Sequence, residues 1–278
     1  MTCMTQRSYS LAYLTVDTCT VPEAIDIAAA LGYADVGLRL RPNAPGAPHQ
    51  ALIGHADLLR ESLARMRDTG VGVYDLEIIR LGDNFEPEHY RAFWDVGAAL
   101  GARAVLVAAD DTDRARLAHN YARLCECMLP YGMTANLEFM PWTAVKNCRD
   151  VMEVIELAGR PANAGLLVDA LHFGRSDTTL ADIAAVPRSL LHYAQICDAT
   201  AGLNFSVEEL IHTARAERAL PGEGSIDLTG LFSTLPHDLP ISVEVVSHSQ
   251  ARAMGAMAWA RLCLEKSQKV LAACQPAQ

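Results

Sequence analysis

Residues 164–174 read AGLLVDALHFG. An apolar run, Gly165 to Val168, stops at a carboxylate, Asp169, and an imidazole, His172, follows three positions later. So short a run, bounded by glycine and polar chemistry, suits a parallel strand covered on both faces better than a helix or a strand with one wet face. A carboxylate at the C-terminal end of such a strand stands where α/β folds keep their sites. The pattern recurs in Asn136-Leu137-Glu138, Tyr193-Ala194-Gln195 and Ser242-Val243-Glu244. Four strand ends therefore carry Glu138, Asp169, Gln195 and Glu244.

The rest of the chain keeps the same rhythm. Strands are expected over 8–14, 34–40, 71–79, 102–109, 133–139, 165–169, 190–197 and 240–246. Helical patterns stand between them. Thr20, Pro22 and Glu23 form a capping box that opens the first helix, and Gly32 stops it. Further helices are expected over 54–69, 86–100, 113–129, 143–158, 180–186 and 249–272, with 110–113 capping the third of these. Strand alternating with helix implies parallel βαβ units, and eight such units imply an α/β fold of one closed (β/α)₈ barrel spanning 1–278. An open doubly wound sheet fits less well, because neither G-x-G-x-x-G nor G-x-x-x-x-G-K-[ST] occurs. The longest irregular stretch, 198–225, has the length of a lid or substrate loop.

Composition excludes several roles. The chain has 278 residues, 51% of them hydrophobic, enough for a large core. A net charge of −10 and only three lysines, Lys146, Lys266 and Lys269, make a poor nucleic-acid binder. No stretch reaches the ~18 apolar residues of a membrane span, and MTCMTQRSYS lacks the apolar core of a secretion signal. A soluble cytoplasmic protein is expected. The eight cysteines include no C-x-x-C pair, and Cys125 and Cys127 point to different sides of one helix, so free thiols are expected.

Carboxylates at buried strand ends are costly unless they are paired or hold a cation. Three carboxylates and an amide oxygen suit one hard or borderline divalent ion: Mg²⁺, Mn²⁺, Co²⁺ or Zn²⁺. His172 is expected in the loop just above Asp169, as a general acid/base, a substrate donor or a hydrogen-bond partner of a metal ligand. The stretch from Arg218 to Asp227, RALPGEGSID, is a Pro-Gly turn with an arginine fork before it, suited to a ketone, hydroxyl or carboxylate. Arg39, Glu77 and Arg80 lie near the ends of earlier strands and are candidates for the substrate pocket.

The order Glu138, Asp169-x-x-His172, Gln195-x-x-Asp198, Arg218-x-x-Pro-Gly-Glu-Gly, Glu244 resembles the xylose isomerase-like barrel superfamily. That group includes sugar phosphate isomerases and epimerases, ketose 3-epimerases, inosose dehydratases and 3-dehydroshikimate dehydratases. The resemblance runs from the first strand to Glu244. It implies a metal held by Glu138, Asp169, Gln195 and Glu244, with His172, Arg218 and Asp198 toward the substrate. Many members have His where this chain has Gln195; an amide oxygen shifts the preference toward Mn²⁺ or Mg²⁺ and away from Zn²⁺.

The expected function is a divalent-metal-dependent isomerase, epimerase or dehydratase. Its substrate would be a small polyhydroxy ketone of sugar, inosose or 3-dehydroshikimate type. Glu138 and Glu244 are the expected acid/base pair, with His172 assisting. The alternatives are an AP-endonuclease-like hydrolase, which needs several metals and a basic face, and a non-catalytic ligand-binding barrel. A homo-oligomer is compatible with the sequence; the reaction and the metal stay open.

Overall fold

The structure is a computed structural model and describes residues 7–44 and 46–274. Eight parallel strands close on themselves in chain order. They are β1 (Tyr9–Leu11), β2 (Asp35–Arg39), β3 (Gly72–Leu81), β4 (Ala104–Ala109), β5 (Thr134–Glu138), β6 (Ala164–Asp169), β7 (Ala194–Ile196) and β8 (Ile241–Val243). The barrel shuts where β8 pairs with β1, Tyr9 against Ile241 and Leu11 against Val243. This is the (β/α)₈ barrel that the alternation predicts.

The period of two along each strand separates two cores. On β4, Val105, Val107 and Ala109 belong to the large apolar layer between barrel and helices. Ala104, Leu106 and Ala108 belong to a small cluster with Tyr74, Leu167 and Tyr193, which is the barrel's own filling. Polar groups complete that filling. Gly37 is needed for one of them: a Cβ there would stand 2.9 Å from an Asp75 oxygen.

Local signals held well. The Thr20–Glu23 capping box is present, and the helix Val21–Leu31 ends on Gly32 at φ 83°. Among the described residues seven cysteines are free thiols, and no helix is long and apolar enough to cross a membrane.

Several segments differ from expectation, and β7 and β8 are shorter than the expected 190–197 and 240–246. β1 is shorter, because Tyr13–Val16 turns into a 3₁₀ helix. The Thr15 hydroxyl pins that turn to β8 by donating to the Val243 carbonyl at 2.8 Å. His172 stands on a one-turn helix, Ala170–Gly174, rather than in a loop, because Asp169 caps it. The irregular 198–225 stretch contains a helix, Val207–Ala216, opened by a Ser206–Glu209 capping box. The C-terminal helix is two, His248–Met254 and Ala256–Ala272, broken at Gly255 where φ is 82°.

Asp75 supplies a prediction about stability. It is buried inside the barrel, and its Oδ1 has no hydrogen-bond partner. Burial, then Glu77 and Asp35, push its carboxyl well above the usual range. The folded chain therefore keeps a proton there that the unfolded chain releases above about pH 4. Stability then falls as pH rises through the unfolded value toward the folded one, by up to about 1.4 kcal/mol per pH unit. Asp75→Asn should remove that slope. Its Tm should match the wild type near about pH 4 and exceed it at neutral pH by about 2–4 °C or more. Parallel Tm–pH curves for the two proteins would mean that Asp75 is ionised in the fold.

Candidate active site

The last four strands bring their polar ends together. Glu138 ends β5, Asp169 ends β6, Gln195 lies in β7 and Glu244 follows β8. All four side chains are buried, and so is Arg218. Arg218 is the only cation that touches the acids among them. Its Nη1 lies 2.6 Å from Asp169 Oδ2 and its Nη2 lies 2.7 Å from Glu244 Oε2. Gln195 Nε2 donates to Glu244 Oε1 at 3.0 Å. Asp169 Oδ1 also accepts from the Leu171 amide at 2.6 Å.

Two of the three carboxylates thus share one guanidinium, and Glu138 is left out. Its Oε1 has no hydrogen-bond partner, and neither has Gln195 Oε1. Burial, then Asp169 and Glu244, push the Glu138 carboxyl well above the usual range, with Arg218 opposing. Burial also raises Glu244 against the pull of Arg218. Asp169 stays below the usual range, because Arg218 and His172 outweigh its burial.

His172 lies beside Glu138, Nε2 to Oε1 3.7 Å. Burial lowers its pKa to about 4, Arg218 helping and Asp169 opposing, so the imidazole is neutral at physiological pH. Its Nδ1 has no partner, and its ring meets Trp142 edge-on at 5.0 Å. Ligand atoms of Glu138, Asp169 and His172 lie within 4.8 Å of one another, a spacing that can hold a metal ion.

A small cleft opens above this cluster. Glu138, His172, Arg218 and Glu244 form its floor; Arg39, Glu77 and Arg80 line it from the earlier strands. Arg39 Nη2 reaches Glu77 Oε2 at 2.9 Å and its guanidinium covers the Tyr13 ring at 4.5 Å. Arg80 grips Asp110 with two bonds, 2.7 and 2.6 Å.

Two expected site residues play other parts. Asp198 is not in the cleft wall; its oxygens accept from Gly222 N at 3.0 Å and Ile226 N at 3.2 Å and so fold the Pro-Gly turn. Gly224 is required there, since any Cβ would strike Asp198 and the Ala199 backbone. Arg218 does line the cleft, but both its Nη atoms are held by acids, so its fork is not free for distal substrate oxygens. Sequence reasoning missed Met140, Trp142 and Arg215 in the wall. The Met-Pro-Trp run directly after Phe139 could have signalled the first two; nothing local marks Arg215.

A closed parallel barrel whose late strands carry a buried carboxylate–imidazole cluster under an open cleft defines the class. The chain belongs to the xylose isomerase-like TIM barrel family, whose model matches residues 25–265. Solved structures share the fold at low identity. The IolI protein with a bound zinc atom is 17% identical, with a TM-score of 0.77 over 95% of this chain and 98% of that one. The probable 3-DHS dehydratase AsbF, involved in petrobactin synthesis, from Bacillus anthracis is 13% identical, with a TM-score of 0.72 over 93% of this chain and 98% of that one. The D-allulose 3-epimerase from Methylomonas sp., in complex with D-allulose, is 16% identical, with a TM-score of 0.66 over 95% of this chain and 97% of that one. No curated protein sequence matches the chain.

Proposed function

We propose that this protein is a divalent-metal-dependent isomerase, epimerase or dehydratase acting on a small polyhydroxy ketone by removing the proton α to its carbonyl. One observation carries the reading: Glu138 and Gln195 aim unpartnered, buried oxygens into a cluster where three carboxylates have one cation. Buried acceptors without donors are costly, and a second cation would satisfy them. The residues present therefore fit a divalent ion. Glu138, Asp169, Gln195 and Glu244 would hold it, and His172 lies close enough to Glu138 and Asp169 to join them. Oxygen-rich ligands favour Mn²⁺ or Mg²⁺. When bound, the ion would act as a Lewis acid on the substrate's carbonyl oxygen.

The chain's own groups supply the proton chemistry. Glu138 and Glu244 both face the cleft, where carboxyl groups can take and give protons at the substrate. One, ionised, takes and keeps the α-proton; the other, protonated at the start, gives its own proton to carbon or to a departing hydroxyl. Neutral His172, 3.7 Å from Glu138, stands where it could donate a hydrogen bond to the substrate. Trp142 and Met140 narrow the cleft and exclude water from the carbanionic intermediate.

The test is proton exchange. Protein stripped of metal and then reloaded with Mn²⁺, Mg²⁺, Co²⁺ or Zn²⁺ is incubated in D₂O with inososes, ketohexoses and 3-dehydroshikimate. Deuterium should enter α to the carbonyl of at least one ketone, with epimer formation or water loss, only in the reloaded protein. Failure to take up any of the four ions at one per chain would sink the reading.

A further inference from the structure

We propose that the cleft selects a substrate bearing an anionic group, a carboxylate or a phosphate monoester, and that Arg215 binds that group. This rests on reading the cleft as the substrate site. Four arginines line it: Arg39, Arg80, Arg215 and Arg218. Three are matched to carboxylates on the protein, Arg39 to Glu77, Arg80 to Asp110, and Arg218 to Asp169 and Glu244. Arg215 has neither an ion pair nor a hydrogen bond among the described residues, although it lies in the last turn of the helix Val207–Ala216 and faces the same space.

A solvated arginine costs little by itself; its surroundings make this one informative. The chain carries a net charge of −10, so an anion approaching most of its surface is repelled. At the cleft mouth the balance reverses. Partial burial, then Arg80 and Arg39, lower the proton affinity of Arg215, with Asp110 opposing, so these guanidinium groups feel one another across the opening. An incoming anion relieves that repulsion and takes the one fork left free. The planar guanidinium matches a carboxylate or phosphate with two parallel hydrogen bonds. The acids below cannot serve an anion, because Glu138, Glu244 and Asp169 would repel it. The cleft is therefore polarised: acids and the expected cation at the floor for the ketone end, a free arginine at the rim for the charged end.

Binding and turnover are measured separately. Calorimetry at low ionic strength on the metal-loaded protein uses quinate, a ring polyol with a carboxylate, myo-inositol, a ring polyol without one, and inorganic phosphate. Quinate or phosphate should bind at least about tenfold more tightly than myo-inositol, and added salt should erode the difference. The stronger of the two identifies the anion. Arg215→Gln should lose about tenfold in anion affinity and leave myo-inositol unchanged, Arg215→Lys should lose less, and the distant surface variant Arg67→Gln should behave as wild type. Thermal melting of each variant verifies that it is folded. Wild-type anion affinity in a folded Arg215→Gln protein, or binding of both quinate and phosphate no tighter than that of myo-inositol, overturns the proposal. If Arg215-dependent anion binding is seen while no ketone exchanges its α-proton, the proposed reaction falls and the anion subsite stands. If uncharged ketones exchange as fast as acidic ones in both proteins, the reaction stands and the anion subsite falls.

Discussion

Glu138→Gln is expected to remove most of the turnover and leave the fold intact. The substitution keeps the shape of the side chain and deletes its charge and its proton affinity. Glu138 is the buried acid with no guanidinium contact, so its loss disturbs no ion pair. A positioned proton carrier contributes about 10²–10⁴-fold, and kcat/KM on whichever ketone proves active should fall by that order. Affinity for Mn²⁺ should fall with it, since a carboxylate ligand becomes an amide. The metal-free variant should melt no lower than metal-free wild type, because a carboxyl whose ionisation burial opposes is replaced by a neutral group of the same shape. Turnover within tenfold of wild type would transfer the proton-abstracting role to Glu244.

Arg218→Met should act oppositely, through stability first. Methionine fills the same apolar path but leaves Asp169 and Glu244 buried beside Glu138 with no cation. Breaking a buried pair from one side costs about 3–5 kcal/mol. For a chain of this size that is a fall of roughly 6–20 °C in Tm. Excess Mn²⁺ should then raise the Tm of the variant more than that of the wild type, because the ion would be the only positive charge left in the cluster. A variant that melts like wild type without metal would show that the acids are protonated and that Arg218 does not neutralise them.

Much of the architecture was legible because buried parallel strands leave a simple trace. Apolar runs that stop at polar residues gave β5, β6, β7 and β8 together with Glu138, Asp169, Gln195 and Glu244. Capping boxes and terminal glycines gave most helix ends. What escaped was either too short for periodicity or too distant in sequence. The helix that carries His172 is a single turn held by the Asp169 carboxylate, and no repeat can reveal one turn. Arg218 and Asp169 are 49 residues apart, so their ion pair exists only once the barrel closes. The resemblance of Gln195-x-x-Asp198 to the family's order implies a substrate role for Asp198; its role in the Pro-Gly turn depends on amides more than twenty residues away. The helix Val207–Ala216 has its signal in Ser206 and Glu209, but it is short and lies among turn-forming residues that hide it.

That stretch is fastened at its base. Asp198 bridges to Ala219 and Glu217 to Ser247, both antiparallel, and the Glu217 carboxylate accepts from Ser247 and Ser249 hydroxyls at 2.8 Å. The residues between the fasteners hang from the ends of β7 and β8 as an insert whose two feet are already fixed. For an engineer this makes a replaceable cartridge. A different helix, spliced in between 200 and 216 with its own capping serine, could bring a new side chain to the rim without touching the acids on the floor. Retargeting this barrel to another substrate should therefore need fewer compensating changes when the library is confined to that insert than when it reaches the strands.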